Sequence, residues 1–464
     1  MLLWFVLVAI YFIAGGILLA QAALHLSLMR WVKRTKPRTT QCPEFEADIL
    51  VQLPVYNEEQ VVVRLLDAVS RLRWKVGRVQ VQILDDSTDG TSNLISAWLV
   101  EHPSPNWSHH RRPNRQGFKA GALQSGLEQA DPVEFVAIFD ADFLPNPDFL
   151  ERAVPLLASY PQRGAIQARW AHLNSTVNAL TAIQALNLDV HFTIEQGGRS
   201  TFGEIASFNG TAGVWRREAI EAAGGWQSDT LAEDFDLSLR ARFAGWGVAY
   251  SDDLAAPAEL PSGFGAYASQ QHRWTAGGAG CARKHLRTVL QKSQGLHRWH
   301  VLGQLLSSSI HVPVWLMTTA SVPLVLLGEP AWGLSWVLPT GSIFAVALLA
   351  LVAMYRMSFQ LRGHTDGFAA RMCGMLLLSA GMTWRNVLSV KAGWQGRPGE
   401  FVRTPKGGMA SAPVQMGWPV EWAWSAYFLG GVALGVHQGE WGLVPFHLLL
   451  AAGYAWVSQM SSES

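Results

Sequence analysis

The strongest constraint on this chain is a long apolar segment at its N-terminus. From Leu2 to Met29 the sequence contains no Asp, Glu, Lys or Arg, and about 20 apolar residues are enough for a helix to cross a bilayer. No basic residue precedes this run and it is too long for a signal peptide, so we predict a retained transmembrane helix over residues 1–29. Basic residues follow from Arg30 onward, which places the linker 30–46 in the cytoplasm.

The middle of the chain, residues 47–287, has a different pattern, in which short apolar runs alternate with helical periodicity. Three buried strands are predicted, at Ile49 to Leu53, Val79 to Leu84 and Phe135 to Phe139. Helical spacing is found between them, at Val61 to Leu72 and at Gly121 to Gln129. Such strand–helix–strand units predict an α/β fold with a mostly parallel sheet and right-handed crossovers.

The last part of the chain, residues 288–464, becomes apolar again and is predicted to be a membrane region. Amphipathic interface helices are expected near its start and at Phe368 to Val390, where a re-entrant helix is the alternative. Four further spans are predicted, from about Ile310 to Leu327, Leu334 to Tyr355, Val420 to Val436 and Trp441 to Val457. With the N-terminal helix this makes about five crossings of an inner, plasma or Golgi-type membrane, with the α/β domain on the cytoplasmic side.

Acidic side chains directly follow two of the predicted strands. Asp85 and Asp86 come after the second strand, and Asp140 and Asp142 come after the third. The carboxyl ends of parallel strands form the edge at which open α/β sheets bind ligands. Carboxylates held close together repel unless a cation lies between them, and a divalent cation that bridges phosphates is a common partner. Taken alone, Asp140 and Asp142 fit a metal site and a pair of solvated turn aspartates equally well.

Two further motifs follow in the same part of the chain. Glu233 and Asp234 begin a predicted helix, where they are either partners of the helix dipole or the source of a general base. Gln270, Arg273 and Trp274 share one face of a later helix. A guanidinium suits phosphate oxygens and an indole offers a flat surface to a sugar ring. A snorkelling arginine beside an interfacial tryptophan explains the same residues in isolation.

Taken together and in order, these motifs resemble those of the membrane-integral family 2 glycosyltransferases. The order is Asp85-Asp86, Asp140-x-Asp142, Glu233-Asp234 and Gln270-x-x-Arg273-Trp274. Longer stretches resemble the plant cellulose-synthase-like mannan and glucan synthases, at Arg115 to Leu123, Phe139 to Pro145, Phe208 to Arg216 and Gly224 to Trp226. Ala232 stands where many of these synthases have Thr. The resemblance implies a GT-A-like domain inserted between transmembrane helices.

The resemblance also implies which residues bind the sugar donor, a UDP- or GDP-hexose such as UDP-glucose or GDP-mannose. Asp86, with Asp85 beside it, would contact the nucleobase or ribose. Lys119 would lie near the diphosphate. Gln270 and Arg273 would bind the pyrophosphate leaving group.

The remaining motif residues carry the implied chemistry. Asp140 and Asp142 would hold the diphosphate through Mg²⁺ or Mn²⁺. Asp234, with Glu233 as its neighbour, would be the general base, and Trp274 would stack on the acceptor sugar. Direct attack assisted by one base implies inversion, so that an α-linked donor yields a β-linked product.

The segment 396–408 resembles the gating loop that closes over the nucleotide in processive synthases. Phe401, Arg403, Thr404 and Lys406 carry the match, with the valine displaced by one position. Flanking glycines would allow such a loop to move. An ordinary basic cytoplasmic loop is the alternative.

Two enzymatic functions are compatible with these features. The first is a processive β-glycan synthase that passes its product through the membrane helices, and the second is a glycolipid synthase that moves one sugar to a membrane lipid. A transporter is disfavoured because no predicted span holds an acidic pair. A formal net charge of +1 argues against nucleic-acid binding. The expected partners are therefore a nucleotide sugar, a glycan or lipid acceptor and the bilayer, while the oligomeric state is not indicated.

Overall fold

A computed structural model describes residues 1–32, 46–203, 205–328, 337–396 and 419–463. Within these ranges the middle of the chain forms one seven-stranded sheet covered by helices, and long apolar helices come from both ends of the chain. The gating-loop residues Phe401, Arg403, Thr404 and Lys406 lie outside the described residues, so that prediction stays untested.

The sheet is mostly parallel, as the alternating pattern predicts. Its strands are β1 Ile49–Val55, β2 Val79–Asp85, β3 Trp107–Arg111, β4 Phe135–Ile138, β5 Arg163–His172, β6 Gly213–Arg216 and β7 Gly247–Ala258. Their order is β3-β2-β1-β4-β6-β5-β7. Strands β1 to β4 pair in parallel, β5 pairs in parallel with β7, and β6 runs antiparallel to both of its neighbours. The carboxyl ends of β2, β1 and β4 therefore lie side by side.

Central strand β1 shows why this sheet is buried on both faces. Ile49, Val51 and Leu53 point into one apolar core, and Leu50 points into the other, because side chains alternate along a strand. All four are fully buried. Strands with apolar side chains on both faces are typical of parallel sheets with helices on each side.

Within the described residues the sheet domain contains eight α-helices, and six of them pack on one or the other face of the sheet. The eight helices are α2 Val62–Ser70, α3 Thr91–Glu101, α4 Phe118–Gln129, α5 Phe149–Ala158, α6 Ala179–Val190, α7 Gly197–Gly203, α8 Arg217–Ala222 and α9 Glu233–Phe243. Residues of α2, α3 and α5 complete one core, and residues of α4, α8 and α9 complete the other. A π-helix, His191–Gln196, joins α6 to α7.

Long helices flank this domain. They are α1 Leu2–Val32, α10 Phe264–Lys292, α11 Gly295–Leu305, α12 His311–Leu327, α13 Val337–Leu361, α14 Phe368–Trp394, α15 Pro419–Gln438 and α16 Val444–Ser462. The four spans predicted in the C-terminal region fall on α12, α13, α15 and α16. Helix α1 packs on α12 and α13, while α14 packs on α10, α12 and α16.

Two helices in the described part of the chain are long and apolar enough to cross a membrane. They are Leu2–Val32 and Ser307–Leu327, judged by length and composition alone. A shorter apolar helix runs over Ala345–Leu361. The count of about five crossings, and the interfacial position of α14, remain predictions.

Candidate active site

One cavity of about 230 Å³ lies at the carboxyl ends of β1, β2 and β4. Nine of the residues singled out from the sequence line it: Asp86, Lys119, Asp140, Asp142, Glu233, Asp234, Gln270, Arg273 and Trp274. These residues come from five separate segments of the chain. The structure therefore brings the four motifs to one site, as the sequence interpretation requires.

The aspartates after β2 and β4 reach the cavity through the turns that end these strands. The backbone N–H of Asp86 donates to Val55 O at 3.0 Å, which ties the end of β2 to the end of β1. The backbone N–H of Asp140 donates to Thr211 Oγ1 at 2.8 Å. Arg112 forms a bidentate pair with Asp86, in which Arg112 Nε donates to Asp86 Oδ1 at 3.0 Å. Backbone hydrogen bonds thus hold Asp86 and Asp140 in place, and the guanidinium of Arg112 also holds the carboxylate of Asp86.

Asp85 is the one donor-site candidate of the described part of the chain that does not line the cavity. It is still within strand β2, so alternation turns its side chain away from that of Asp86. Its carboxylate is fully buried and accepts hydrogen bonds from Ser87 N at 2.8 Å and Ser92 Oγ at 2.5 Å. His109 Nε2 lies 2.9 Å from it. Burial raises the pKa of Asp85, but hydrogen bonds from His109, Ser87 and Ser92 outweigh it and bring that pKa to about 2. Asp85 thus helps to hold this edge of the sheet together, and its contact with the donor stays a prediction.

Lys119 is placed by the helix that carries it. Helix α4 packs closely on the sheet at Gly126, where a Cβ would lie 2.7 Å from Gln52 Nε2. Gln52 and Gln82, buried in β1 and β2, donate to backbone carbonyls of α4 at 3.2 and 2.9 Å. These polar anchors hold α4 on the sheet at Leu123 and Gly126, and Lys119 lies in the first turn of the same helix. Lys119 Nζ then lies 2.5 Å from Asp140 Oδ1 and 3.9 Å from Glu233 Oε1.

The turn before β6 lies between Lys119 and the first turn of α9. Gly210 has φ +83°, a left-handed conformation that glycine adopts without steric cost. Its carbonyl accepts from Lys119 Nζ at 3.0 Å. A Cβ at Gly210 would lie 3.1 Å from Asp234 Oδ2. Ala212 is also left-handed, with φ +53°, and such non-glycine conformations are concentrated at functional sites.

The two carboxyls of the Glu233-Asp234 motif differ from ordinary surface groups. Both lie in the first turn of α9 and face the cavity. Burial, and then the charge of Glu233, raise the pKa of Asp234 to about 7 in spite of Lys119. Burial also raises the pKa of Glu233 against the opposing charge of Lys119. A carboxyl poised near neutrality in a cleft is suited to accept a proton.

Helix α10 brings Gln270, Arg273 and Trp274 to the opposite wall. It passes close to the start of α9 because residue 277 is glycine: a Cβ there would lie 2.9 Å from the Cβ of Ala232. Burial lowers the pKa of Arg273, although Asp140 and Glu233 act in the other direction. Trp274 is 38% exposed, so a large part of its ring is open to a ligand.

Several cavity residues were missed in the sequence. Trp170, at the end of β5, lies 6.3 Å from Trp274 between ring centroids. Arg115 stacks on Tyr56 with its guanidinium carbon 3.2 Å from the ring centroid. Asn209 lies on the wall beside Gly210. Arg115 and Asn209 belong to stretches that carry the family resemblance, so closer attention to those stretches would have found them, whereas Trp170 gave no local signal.

Asp140 and Asp142 were also predicted to hold a divalent cation. In the described part of the chain no group of three or more His, Cys, Asp or Glu side chains is arranged for a metal. The side chain of Asp140 is 33% exposed at the cavity, and two carboxylates are a partial oxygen set for Mg²⁺ or Mn²⁺, which commonly complete their coordination with phosphates and water. The residues present therefore fit a metal that arrives with a diphosphate.

Parts of the chain are similar to known glycosyltransferases. Residues 135–358 match the family model described as glycosyl transferase family group 2. Probable glucomannan 4-beta-mannosyltransferase 4 of Oryza sativa subsp. japonica is 39% identical over 349 residues, which are 68% of this chain and 62% of the relative. Glucomannan 4-beta-mannosyltransferase 7 of Arabidopsis thaliana is 43% identical over 261 residues, 54% of this chain and 46% of the relative. The chain thus spans less than two thirds of each of these relatives.

A solved structure shares the fold. It is the mannosyltransferase PcManGT from Pyrobaculum calidifontis in complex with GDP-Man and Mn²⁺, with a TM-score of 0.53 and 23% sequence identity. The match covers 80% of this chain and 99% of that one. The sheet domain accordingly has the GT-A-like fold that the sequence resemblance implies.

Proposed function

The chain carries a domain of glycosyl transferase family group 2, and from this premise we propose that it is an inverting hexosyltransferase that forms a β-linkage. The observation that carries the proposal is the cavity at the ends of β1, β2 and β4. There a carboxyl with a pKa of about 7, Asp234, lies close to a lysine–aspartate pair and to an arginine. A site of this kind can deprotonate a hydroxyl and stabilise a leaving diphosphate.

Each group has a role in the proposed reaction. Asp86 contacts the nucleoside, while Lys119 and Arg273 offset the charge that develops on the leaving diphosphate and Gln270 donates a hydrogen bond to it. Asp140 and Asp142 would hold Mg²⁺ or Mn²⁺, which would supply further positive charge at that diphosphate.

The proton transfer takes place on the acceptor side of the cavity. Asp234 takes the proton from the attacking hydroxyl as the bond to the anomeric carbon forms and the bond to the leaving diphosphate breaks. Burial, and then the charge of Glu233, keep the pKa of Asp234 raised. Trp274 holds the acceptor sugar by stacking. A single displacement of this type inverts the anomeric centre.

Mannose is the favoured sugar. The relatives at 39% and 43% identity are named glucomannan 4-beta-mannosyltransferases, and the fold neighbour was solved with GDP-Man. These names support GDP-mannose as donor over UDP-glucose. We further propose a β-glycan product made at the cytoplasmic face of a membrane, in which α1 and α12 are anchored.

Product analysis tests this function. The full chain, purified in detergent micelles, is incubated with radiolabelled GDP-mannose or UDP-glucose and with Mg²⁺ or Mn²⁺. A mannanase-sensitive polymer is expected from GDP-mannose. A single product that extracts into organic solvent would instead indicate the glycolipid synthase, and no transfer from any nucleotide sugar would overturn the proposal.

A further inference from the structure

A chain of hydrogen bonds leads from the cavity wall to the N-terminal helix, through residues that the proposed reaction does not use. It begins at Asn209, which lines the cavity, and passes through His191 and Glu195 of the π-helix. It ends at His25 of α1, whose Nε2 lies 3.3 Å from Glu195 Oε1. Single π-helical turns within α-helices are frequent at functional sites.

The orientation of the Gln196 side-chain amide, which bonds Asn209, is fixed by the backbone of Ser207. Ser207 N donates to Gln196 Oε1 at 3.1 Å, so Gln196 Nε2 is the donor toward Ser207 O at 2.6 Å. The same Nε2 donates to Asn209 Oδ1. The side-chain oxygen of Asn209 is therefore an acceptor, and its Nδ2 is a donor, without any choice between the two amide orientations.

His191 is left with one neutral tautomer. Its Nε2 lies 3.1 Å from Asn209 Nδ2 and has to accept. The ring proton is then on Nδ1, which donates to Glu195 Oε2 at 3.1 Å. Arg199 Nη1 lies 3.2 Å from that same carboxylate oxygen. A carboxylate that orients an imidazole in this way fixes both its tautomer and its ring plane.

The Asn209 amide is thus held on two sides while it faces the cavity. An amide nitrogen carries two hydrogens, and the contact with His191 uses one of them. The backbone N–H of Asn209 is fixed as well, because it donates to Gln167 Oε1 at 2.7 Å. The next residue, Gly210, contacts Lys119 and lies against Asp234. A side-chain amide that has a second N–H and is held by Gln196 and His191 thus borders the same cavity as the reacting groups, and such rigid support is what a preorganised binding group needs.

We propose that Asn209 is a sugar-binding residue that donates this second N–H to a hydroxyl of the hexose. His191, oriented by Glu195, is its positioning residue. The inference rests on the proposed function, since it assumes that a sugar occupies the cavity. The transferred hexose and the terminal sugar of the acceptor offer the same hydroxyl chemistry, and kinetics separates these two sources.

The test uses initial rates of the full chain in detergent micelles, with GDP-mannose and a β-1,4-linked manno-oligosaccharide varied in turn. Asn209→Ala is expected to raise the KM of one of the two about tenfold, as for a lost hydrogen bond, and the substrate affected identifies the sugar that is bound. His191→Phe keeps a ring but no hydrogen bond, and should give the same change. The double variant should be no worse than either single one, since the two residues act as a unit.

Rescue separates positioning from a merely structural role. His191→Gln can donate to Glu195 and accept from Asn209, so its KM should return close to the wild-type value, whereas a packing role would be served better by phenylalanine. His102→Gln is the control, because that imidazole stacks on Trp98 and bonds only its backbone carbonyl in the described structure. Unchanged KM values for both substrates in Asn209→Ala, with an active wild type, would refute the inference alone. Absence of transfer by the wild type would remove the proposed function and the inference with it.

Discussion

Lys119 Nζ and Asp140 Oδ1 lie 2.5 Å apart at the centre of the cavity. Burial lowers the pKa of Lys119, but the charges of Asp140 and Glu233 outweigh it and raise that pKa, so the lysine is cationic. An ammonium that already balances a carboxylate is well placed to meet the oxygens of a diphosphate. The pair thus links the helix α4 to the end of β4 at the point where the donor is expected.

Replacement of this ammonium should weaken donor binding. Lys119→Gln keeps most of the side-chain volume but removes the charge, and the affinity for GDP should fall about tenfold to a hundredfold, as for a lost charge-assisted hydrogen bond. Isothermal titration of GDP with Mn²⁺ present measures this. Lys75→Gln, at an exposed position outside the cavity, is the control. Equal affinity of Lys119→Gln and wild type would contradict the role given to this lysine.

Removal of the proposed base should stop transfer without loss of the donor site. Asp234→Asn preserves shape and is expected to lower kcat by at least ~10²–10⁴-fold, while the affinity for GDP stays close to wild type. Asp229→Asn serves as the control, since that carboxylate is 56% exposed and pairs with Lys284. Full activity in Asp234→Asn would show that another group accepts the proton.

The pH dependence follows from the same carboxyl. Asp234 has to be ionised to accept a proton, so kcat/KM should rise with pH and level off above about 7, the raised pKa of this group. The contribution of Asp234 to folding stability changes with pH in the opposite direction to kcat/KM. Because the folded pKa lies above the ordinary value of 3.8, the contribution of this group to stability is complete below about 3.8 and is lost as pH rises through about 7.

Thermal unfolding at several pH values checks this sign. Asp234→Asn should be more heat-stable than wild type at pH 8, and the difference should shrink at pH 5. A rate profile that is flat between pH 5 and 8 would be inconsistent with a base of this pKa.

Metal removal should abolish transfer. Asp140 and Asp142 are the carboxylates that would hold Mg²⁺ or Mn²⁺, so excess EDTA is expected to stop the reaction and added Mn²⁺ to restore it. Asp142→Asn should require a higher metal concentration for half-maximal rate, because a carboxylate ligand has lost its charge. Asp148→Asn, outside the cavity, should respond as wild type does. Undiminished transfer in EDTA would refute the metal role.

The exposed ring of Trp274 should govern acceptor affinity. Trp274→Ala is expected to raise the KM of a manno-oligosaccharide about threefold to tenfold through the loss of stacking, and Trp274→Phe should retain most of the affinity. The KM of GDP-mannose should change little in both variants. Trp299→Ala, which removes a 61% exposed ring from α11, provides the control. A larger effect on the donor KM than on the acceptor KM would contradict the assignment of Trp274 to the acceptor subsite.

Much of the fold and most of the site could be predicted from the sequence. The strands β1, β2 and β4 are short segments rich in apolar residues, although β1 and β2 also contain glutamines. Their parallel pairing brings Asp86 and Asp140 to one edge of the sheet. The order of the motifs then supplied Asp234 and the Gln270-x-x-Arg273-Trp274 series through resemblance. The strands β3, β5, β6 and β7 were not predicted; β6, for example, has only two apolar side chains, between Gly213 and Arg216.

Other features depend on neighbours that are distant in the chain. Asp85 was grouped with Asp86, yet a single step along the strand turns it into a buried cluster with His109 and Ser92. Trp170 stands beside Trp274 only because β5 and α10 meet at the cavity.

Within the sheet domain, the sequence by itself determined the strands β1, β2 and β4 and the helices α2 and α4, because apolar periodicity and turn residues act locally. It also determined which residue types were available for chemistry. Only the tertiary structure decided which of them face one another, as when it set the Asn209 amide against His191 and raised the pKa of Asp234 by burial beside Glu233. Hydrogen-bond direction and desolvation depend on distances between elements, and those distances are fixed only when the elements pack.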